Sequence, residues 1–183
     1  QLVRIIQDGK ELKMSKRTGN AITLEELCEE VGVDAARYFF LAKSASTHFD
    51  FDLDLATESS SANPVYYAQY AHARLSAVLA RGEKFSLDPS GEGLKEAAEL
   101  NLIKQLIAYP SAVSDATMTR EPYKIANYIQ KLASLVHSFY TEVRILDESN
   151  VQLTSARLGL SIAAQIVLKD ALTLLGVSAP QTM

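Results

Sequence analysis

The stretch Asn63-Pro64-Val65-Tyr66-Tyr67-Ala68-Gln69-Tyr70-Ala71-His72-Ala73-Arg74 opens the part of the chain that decides the fold. It predicts a helix over 65–81, with Tyr66, Tyr70 and Ala73 on one face and Tyr67, Ala71 and Arg74 on the adjacent one. The pattern is helical from residue 55 nearly to the end. A loop is expected over 82–93 and helices over about 94–108 and 111–119. Pro122, in a helix first turn, opens a long helix to about residue 145. Its stripe of Ile125, Ile129, Leu132, Val136 and Phe139/Tyr140 has core spacing. Thr154 is expected to cap the last helix, which stops near Gly176, and Pro180 keeps the tail from continuing it.

Upstream the pattern changes. Residues 2–6 (LVRII) look like a buried strand, and Asp8-Gly9 signals a hairpin returning through 10–14. Residues 15–20 are polar and read as a loop. Thr23 and Glu26 have the spacing of a capping box for a helix ending near Gly32, and Asp34 is expected to cap a second helix to about Lys43. In 48–55 (HFDFDLDL) apolar and acidic residues alternate, which argues for a strand. An extended connector pinned by Phe49, Phe51 and Leu53 is favoured, because no partner strand lies nearby. The fold class is therefore mainly α: a helical bundle over 51–183, preceded by a small α/β part over 1–50.

With 183 residues, 48% of them apolar, the chain can bury a proper core, yet its apolar runs fall short of a membrane span. No membrane partner is expected. Nothing in the pattern marks it for export, and Gln1 ahead of an apolar run reads as an excised fragment. Cys28 is the only cysteine and His48, His72 and His137 are far apart, so no metal site is expected. These features suggest a cytoplasmic protein. The net charge of −4 argues against gripping nucleic acid by bulk electrostatics. Residues 1–20, however, hold five basic side chains against Asp8 and Glu11, a balance of +3.

Lys13-Met14-Ser15-Lys16-Arg17 is the segment with chemistry in it. Two long cations three residues apart on a loop suit a polyphosphate, because they can follow charge as it develops. Ser15 adds a hydroxyl donor. A solvated basic turn after a hairpin is the alternative for the bare pentapeptide.

Lys13-Met14-Ser15-Lys16 resembles the lysine-loop signature of class I aminoacyl-tRNA synthetases. The following Gly32-Val33-Asp34-Ala35-Ala36-Arg37-Tyr38 is similar to the helix that succeeds that loop in the subclass. Asn63–Arg74 resembles the start of the anticodon-binding bundle of the arginyl enzymes, as does the closing Leu174-Leu175-Gly176-Val177 with its proline-containing tail to Met183. The resemblance covers the whole chain. It implies that residues 1–50 end a nucleotide-binding catalytic domain and that 51–183 bind the anticodon. It also implies that Lys13, Ser15 and Lys16 bind ATP, with Mg as its usual companion, and that Lys13 and Lys16 act in catalysis. The family's other signature, His-x-Gly-His, is not in this chain. The resemblance therefore implies half an ATP site, an N-terminal catalytic half as partner and no activity for the isolated chain.

A tRNA for arginine is the macromolecular partner implied. Single-stranded RNA is read by stacking bases on aromatic rings and by polar contacts to base edges. Tyr67 and Arg74 fit that task best and Tyr70 lies beside them; Tyr140 and Met183 are carried mainly by the resemblance. Any one of these tyrosines could instead be core, with its hydroxyl at the rim, and His137 reads as a rim histidine. The competing readings are a freestanding tRNA-binding or regulatory module, which would have no use for a triphosphate clamp, and a cysteinyl-type enzyme of the same class.

Overall fold

The computed structural model describes residues 2–12 and 22–183. Its N-terminal part is a small sheet. Strand β1 (Val3–Gln7) turns at Asp8-Gly9 into β2 (Lys10–Glu11), and the positive φ of both turn residues, 52° and 70°, is the hairpin geometry that this dipeptide favours. The chain then passes through helices α1 (Leu24–Val31) and α2 (Val33–Leu41) to β3 (Phe49–Asp52). β3 pairs in parallel with β1, Ile5 opposite Phe51, giving the order β2-β1-β3. Parallel strands need a long crossover, and α1 and α2 provide it.

Within 48–55, residues Phe49–Asp52 are therefore a strand and not the connector expected, while the chain turns helical from Leu53. Its partner was remote in sequence rather than missing. The phenylalanines point inward, where Phe51 is fully buried and packs at 5.2 Å from Phe39 and 5.5 Å from Phe40. Each aspartate takes a separate task. Asp50 receives a two-pronged hydrogen bond from Arg4 (2.7 and 2.8 Å). Asp52 caps the short α3 (Leu53–Thr57) by accepting from the Leu55 amide, and Asp54 accepts from the amide of Asp8 in the hairpin turn.

The capping box on α1 forms as expected: Thr23 Oγ1 accepts from the Glu26 amide and Glu26 accepts from the Thr23 amide. Two other expected caps do not. Asp34 lies inside the first turn of α2, whose N-cap is Gly32. Its carboxylate turns to the tail instead, accepting from the Ser178 amide and hydroxyl and from Gln69 Nε2. Thr154 lies inside α8 (Val151–Leu174), which Asn150 caps at the Leu153 amide. Its hydroxyl turns to the backbone of Asp147 instead, accepting from the amide and donating to the carbonyl.

The bundle consists of α4 (Pro64–Arg81), α5 (Ala97–Ile107), α6 (Tyr109–Thr119), α7 (Tyr123–Glu142) and α8. α7 lies among the others and buries Ile125, Ile129, Leu132, Val136 and Phe139, the stripe read from the sequence. Asn63 starts α4: its Oδ1 accepts from the Val65 amide, while Nδ2 donates to the Ala56 and Glu58 carbonyls. Among the described residues α8 is long and apolar enough to cross a membrane by length and composition, although Arg157, Gln165, Lys169 and Asp170 keep its uninterrupted apolar runs short. Alanines such as Ala156 and Ala164 contribute to that apolarity, and the helix packs its buried side against α4, α5 and α7.

α2 ties the sheet to the bundle. Tyr38 Oη donates to the Ala126 carbonyl and accepts from Gln130, and Arg37 Nε donates to the Leu175 carbonyl.

Candidate nucleic-acid interface

α4 and α7 lie side by side, and their shared edge gathers aromatic rings around arginines. Helical spacing on α4 stacks Tyr66 on Tyr70, with centroids 5.9 Å apart and planes 20° apart. One turn on, the Arg74 guanidinium lies between two rings, 4.6 Å from the centroid of Tyr70 and 4.8 Å from that of Tyr140 on α7. At this range the ring faces attract the cation and hold its plane. Two turns beyond Arg74, at the C-terminal end of α4, Arg81 Nη2 donates to Tyr140 Oη at 3.0 Å.

His137 fills the space between the helices. Its ring lies 4.4 Å from that of Tyr67 and 5.8 Å from that of Tyr70. Nε2 is 3.2 Å from the Tyr67 carbonyl, and Nδ1 is 3.3 Å from Arg74 Nη1. Burial pushes this imidazole below its ordinary value; the Tyr67 bond opposes that and the Arg74 charge adds to it. Beside Tyr140 a hollow of about 240 Å³ is lined by Arg81, Arg144, Val78 and Val143 among others. The edge thus offers ring faces for stacking and guanidinium N–H groups for phosphates or base edges, without a broad basic surface.

The structure brings Tyr67, Tyr70, Arg74 and Tyr140 together. It does not bring Met183 to them. The tail runs along another side of α4, where Gln69 donates to Ser178 and His72 Nδ1 meets the Pro180 carbonyl, and Met183 is exposed. Tyr67 is half-buried and packs against the core, so it serves the scaffold as well as the edge. Sequence reasoning missed Arg81 and Arg144 and set His137 aside. The signal available was spacing: His137 and Tyr140 are three residues apart on α7, as Arg74 and Arg81 are two turns apart on α4. Lys13, Ser15 and Lys16 lie outside the described residues.

Residues 68–183 match the DALR anticodon binding domain. The chain belongs to that family. It is 49% identical to the arginine–tRNA ligase of Bacillus subtilis and 50% identical to that of Anoxybacillus flavithermus, in each case over all of this chain and 34% of the relative. It therefore spans about a third of the length of the curated relatives it matches, their C-terminal part. Among solved structures, an arginyl-tRNA synthetase of Campylobacter jejuni matches with a TM-score of 0.86 at 32% identity, covering 100% of this chain and 40% of that one. The Thermus thermophilus arginyl-tRNA synthetase shares the fold, with a TM-score of 0.76 at 22% identity over 98% of this chain and 34% of its own.

Proposed function

We propose that this chain is the RNA-reading part of an arginine–tRNA ligase, a cytoplasmic enzyme whose catalytic remainder is the other two-thirds represented in its relatives. Residues 51–183 hold the anticodon loop of an arginine tRNA along the α4–α7 edge. Residues 1–50 end the catalytic domain and supply the lysine loop. The observation that carries this reading is the Arg74 guanidinium held between Tyr70 and Tyr140, with no carboxylate partner among the described residues. One Nη1 N–H goes to His137, and the guanidinium stacked between the rings keeps its other N–H groups for an incoming acceptor. Tyr67, Tyr70 and Tyr140 offer stacking surfaces, and Met183 on the tail makes a separate contact.

In the complete enzyme Lys13, Ser15 and Lys16 hold the triphosphate of ATP, with Mg²⁺ as its counterion. Lys13 and Lys16 stabilise the charge that develops as the arginine carboxylate attacks the α-phosphate. Lys16→Ala there should slow activation about a hundredfold while leaving arginine binding much less affected. The test of the present chain is its affinity for an arginine anticodon stem-loop against one with a scrambled loop. Preference for the arginine loop is expected, together with no arginine-dependent ATP–pyrophosphate exchange. Equal affinity for both loops would overturn the reading.

A further inference from the structure

We propose that His137 is a positioning residue that fixes Arg74 in its slot between Tyr70 and Tyr140 and makes RNA capture by this edge weaken on acidification. The inference rests on the reading of the α4–α7 edge as an RNA site.

Hydrogen bonding leaves the ring one tautomer. The Tyr67 carbonyl can only accept, so Nε2, 3.2 Å away, carries the proton. Arg74 Nη1 can only donate, so Nδ1, 3.3 Å from it, presents its lone pair. The imidazole is thus neutral and oriented at both ends. It is also packed against Tyr67 and Tyr70, so it cannot turn without losing ring contacts as well as hydrogen bonds. In this state it points one arm of the guanidinium inward and sets the plane that the two rings then hold.

A second proton reverses the arrangement. An N–H on Nδ1 would face an N–H of Arg74, and two cations would stand 3.3 Å apart with ring faces around them. The groups that touch the His137 ring are Tyr67, Tyr70 and Arg74, all from α4; none is a carboxylate that could take up the added charge. The guanidinium must then leave the slot. Burial lowers the imidazole from its ordinary 6.5, so the slot is intact at neutral pH and is lost only below that value.

The sign of the effect is diagnostic. An ordinary histidine at an RNA surface gains a charge on acidification and binds a polyanion more tightly. Here acidification should weaken binding, because the charge gained expels the arginine that makes the contact.

The test is the affinity of the chain for an arginine anticodon stem-loop between pH 7.5 and 5.5, with circular dichroism showing that the bundle stays folded. The wild type should lose at least about fivefold, the lower end of usual coupling strengths. His137→Gln, which keeps a donor and an acceptor but does not titrate, should bind with a flat profile. Binding that tightens on acidification, or parallel profiles for the two proteins, would overturn the proposal. Imidazole nitrogen shifts supply a readout that needs no RNA. The wild type should show the Nε2–H form, and Arg74→Ala should raise the His137 pKa. The other tautomer, or an unmoved titration, would equally overturn it. If neither stem-loop binds while the nitrogen shifts behave as expected, the RNA reading fails and the His137–Arg74 coupling stands.

Discussion

Arg74 and Arg157 show how the same side chain serves different ends. Arg157 is 11% exposed and donates at 2.7 Å to Glu99, a carboxylate with no exposure at all. Glu99 also accepts from the Lys95 and Glu96 amides at the start of α5, so the pair joins α8 to a helix end. Arg157→Ala would strand a buried carboxylate, and urea denaturation should show a loss of about 3–5 kcal/mol. Leu132, fully buried on α7, should cost about 2–5 kcal/mol as Leu132→Ala by the same measurement. Arg74 has no such acid among the described residues, and its removal should touch binding far more than folding. Residues whose partners are local were legible in the sequence, as Thr23 with Glu26 and Asp8 with Gly9 show. Asp34 and Thr154 misled because each has the chemistry of a cap while a group elsewhere in the fold claims its side chain: Ser178 for one and Asp147 for the other.

Elements were readable where their periodicity was long and unreadable where their partner was distant. The α7 stripe needs only the helical repeat, and it is buried as expected. β3 needs β1, whose paired residues lie 46 positions upstream, and alternation alone could not reveal that pairing. The candidate site has the same mixture. Tyr67 and Arg74 on one helix face and Tyr70 on the adjacent one were visible in the sequence, whereas the closure of the slot by Tyr140 and His137 depends on how α4 meets α7. A close approach of the same kind occurs at Gly159 on α8. A Cβ there would stand 2.0 Å from the Asp88 carbonyl oxygen, and the Asp88 amide donates to the Ser155 carbonyl. Gly159→Ala should push residues 82–93 off α8 at a cost of about 1–3 kcal/mol, the usual penalty of overpacking. Faster proteolytic cleavage within that loop would report the displacement; unchanged cleavage and melting would contradict the packing described.

For the molecule as a whole, two histidines in the bundle, His72 buried and His137 half-buried, set its response to acid. His72 Nδ1 bonds to the Pro180 carbonyl, leaving Nε2 buried with no partner among the described residues. Burial lowers it from its ordinary 6.5, helped by the charge of Lys169 and opposed by the Pro180 bond, and burial lowers His137 likewise. The folded chain therefore holds fewer protons than the unfolded chain just below pH 6.5. Stability should be complete above that pH and fall as the pH drops through the window beneath it. The carboxylates that hydrogen bonds hold low, such as Glu26 and Asp147, act only at more acid pH. Thermal melting from pH 7.5 to 5.5 should decline, and the paired change of His72→Gln and His137→Gln should flatten that decline. Capture of RNA by the α4–α7 edge depends on Arg74 and its flanking rings under the proposed function. The most direct measurement is the affinity of Arg74→Ala for the arginine anticodon stem-loop beside its melting temperature. A loss of about tenfold or more in affinity is expected, a difference of about 1.4 kcal/mol, with melting nearly unchanged. Undiminished affinity in a folded variant would contradict it.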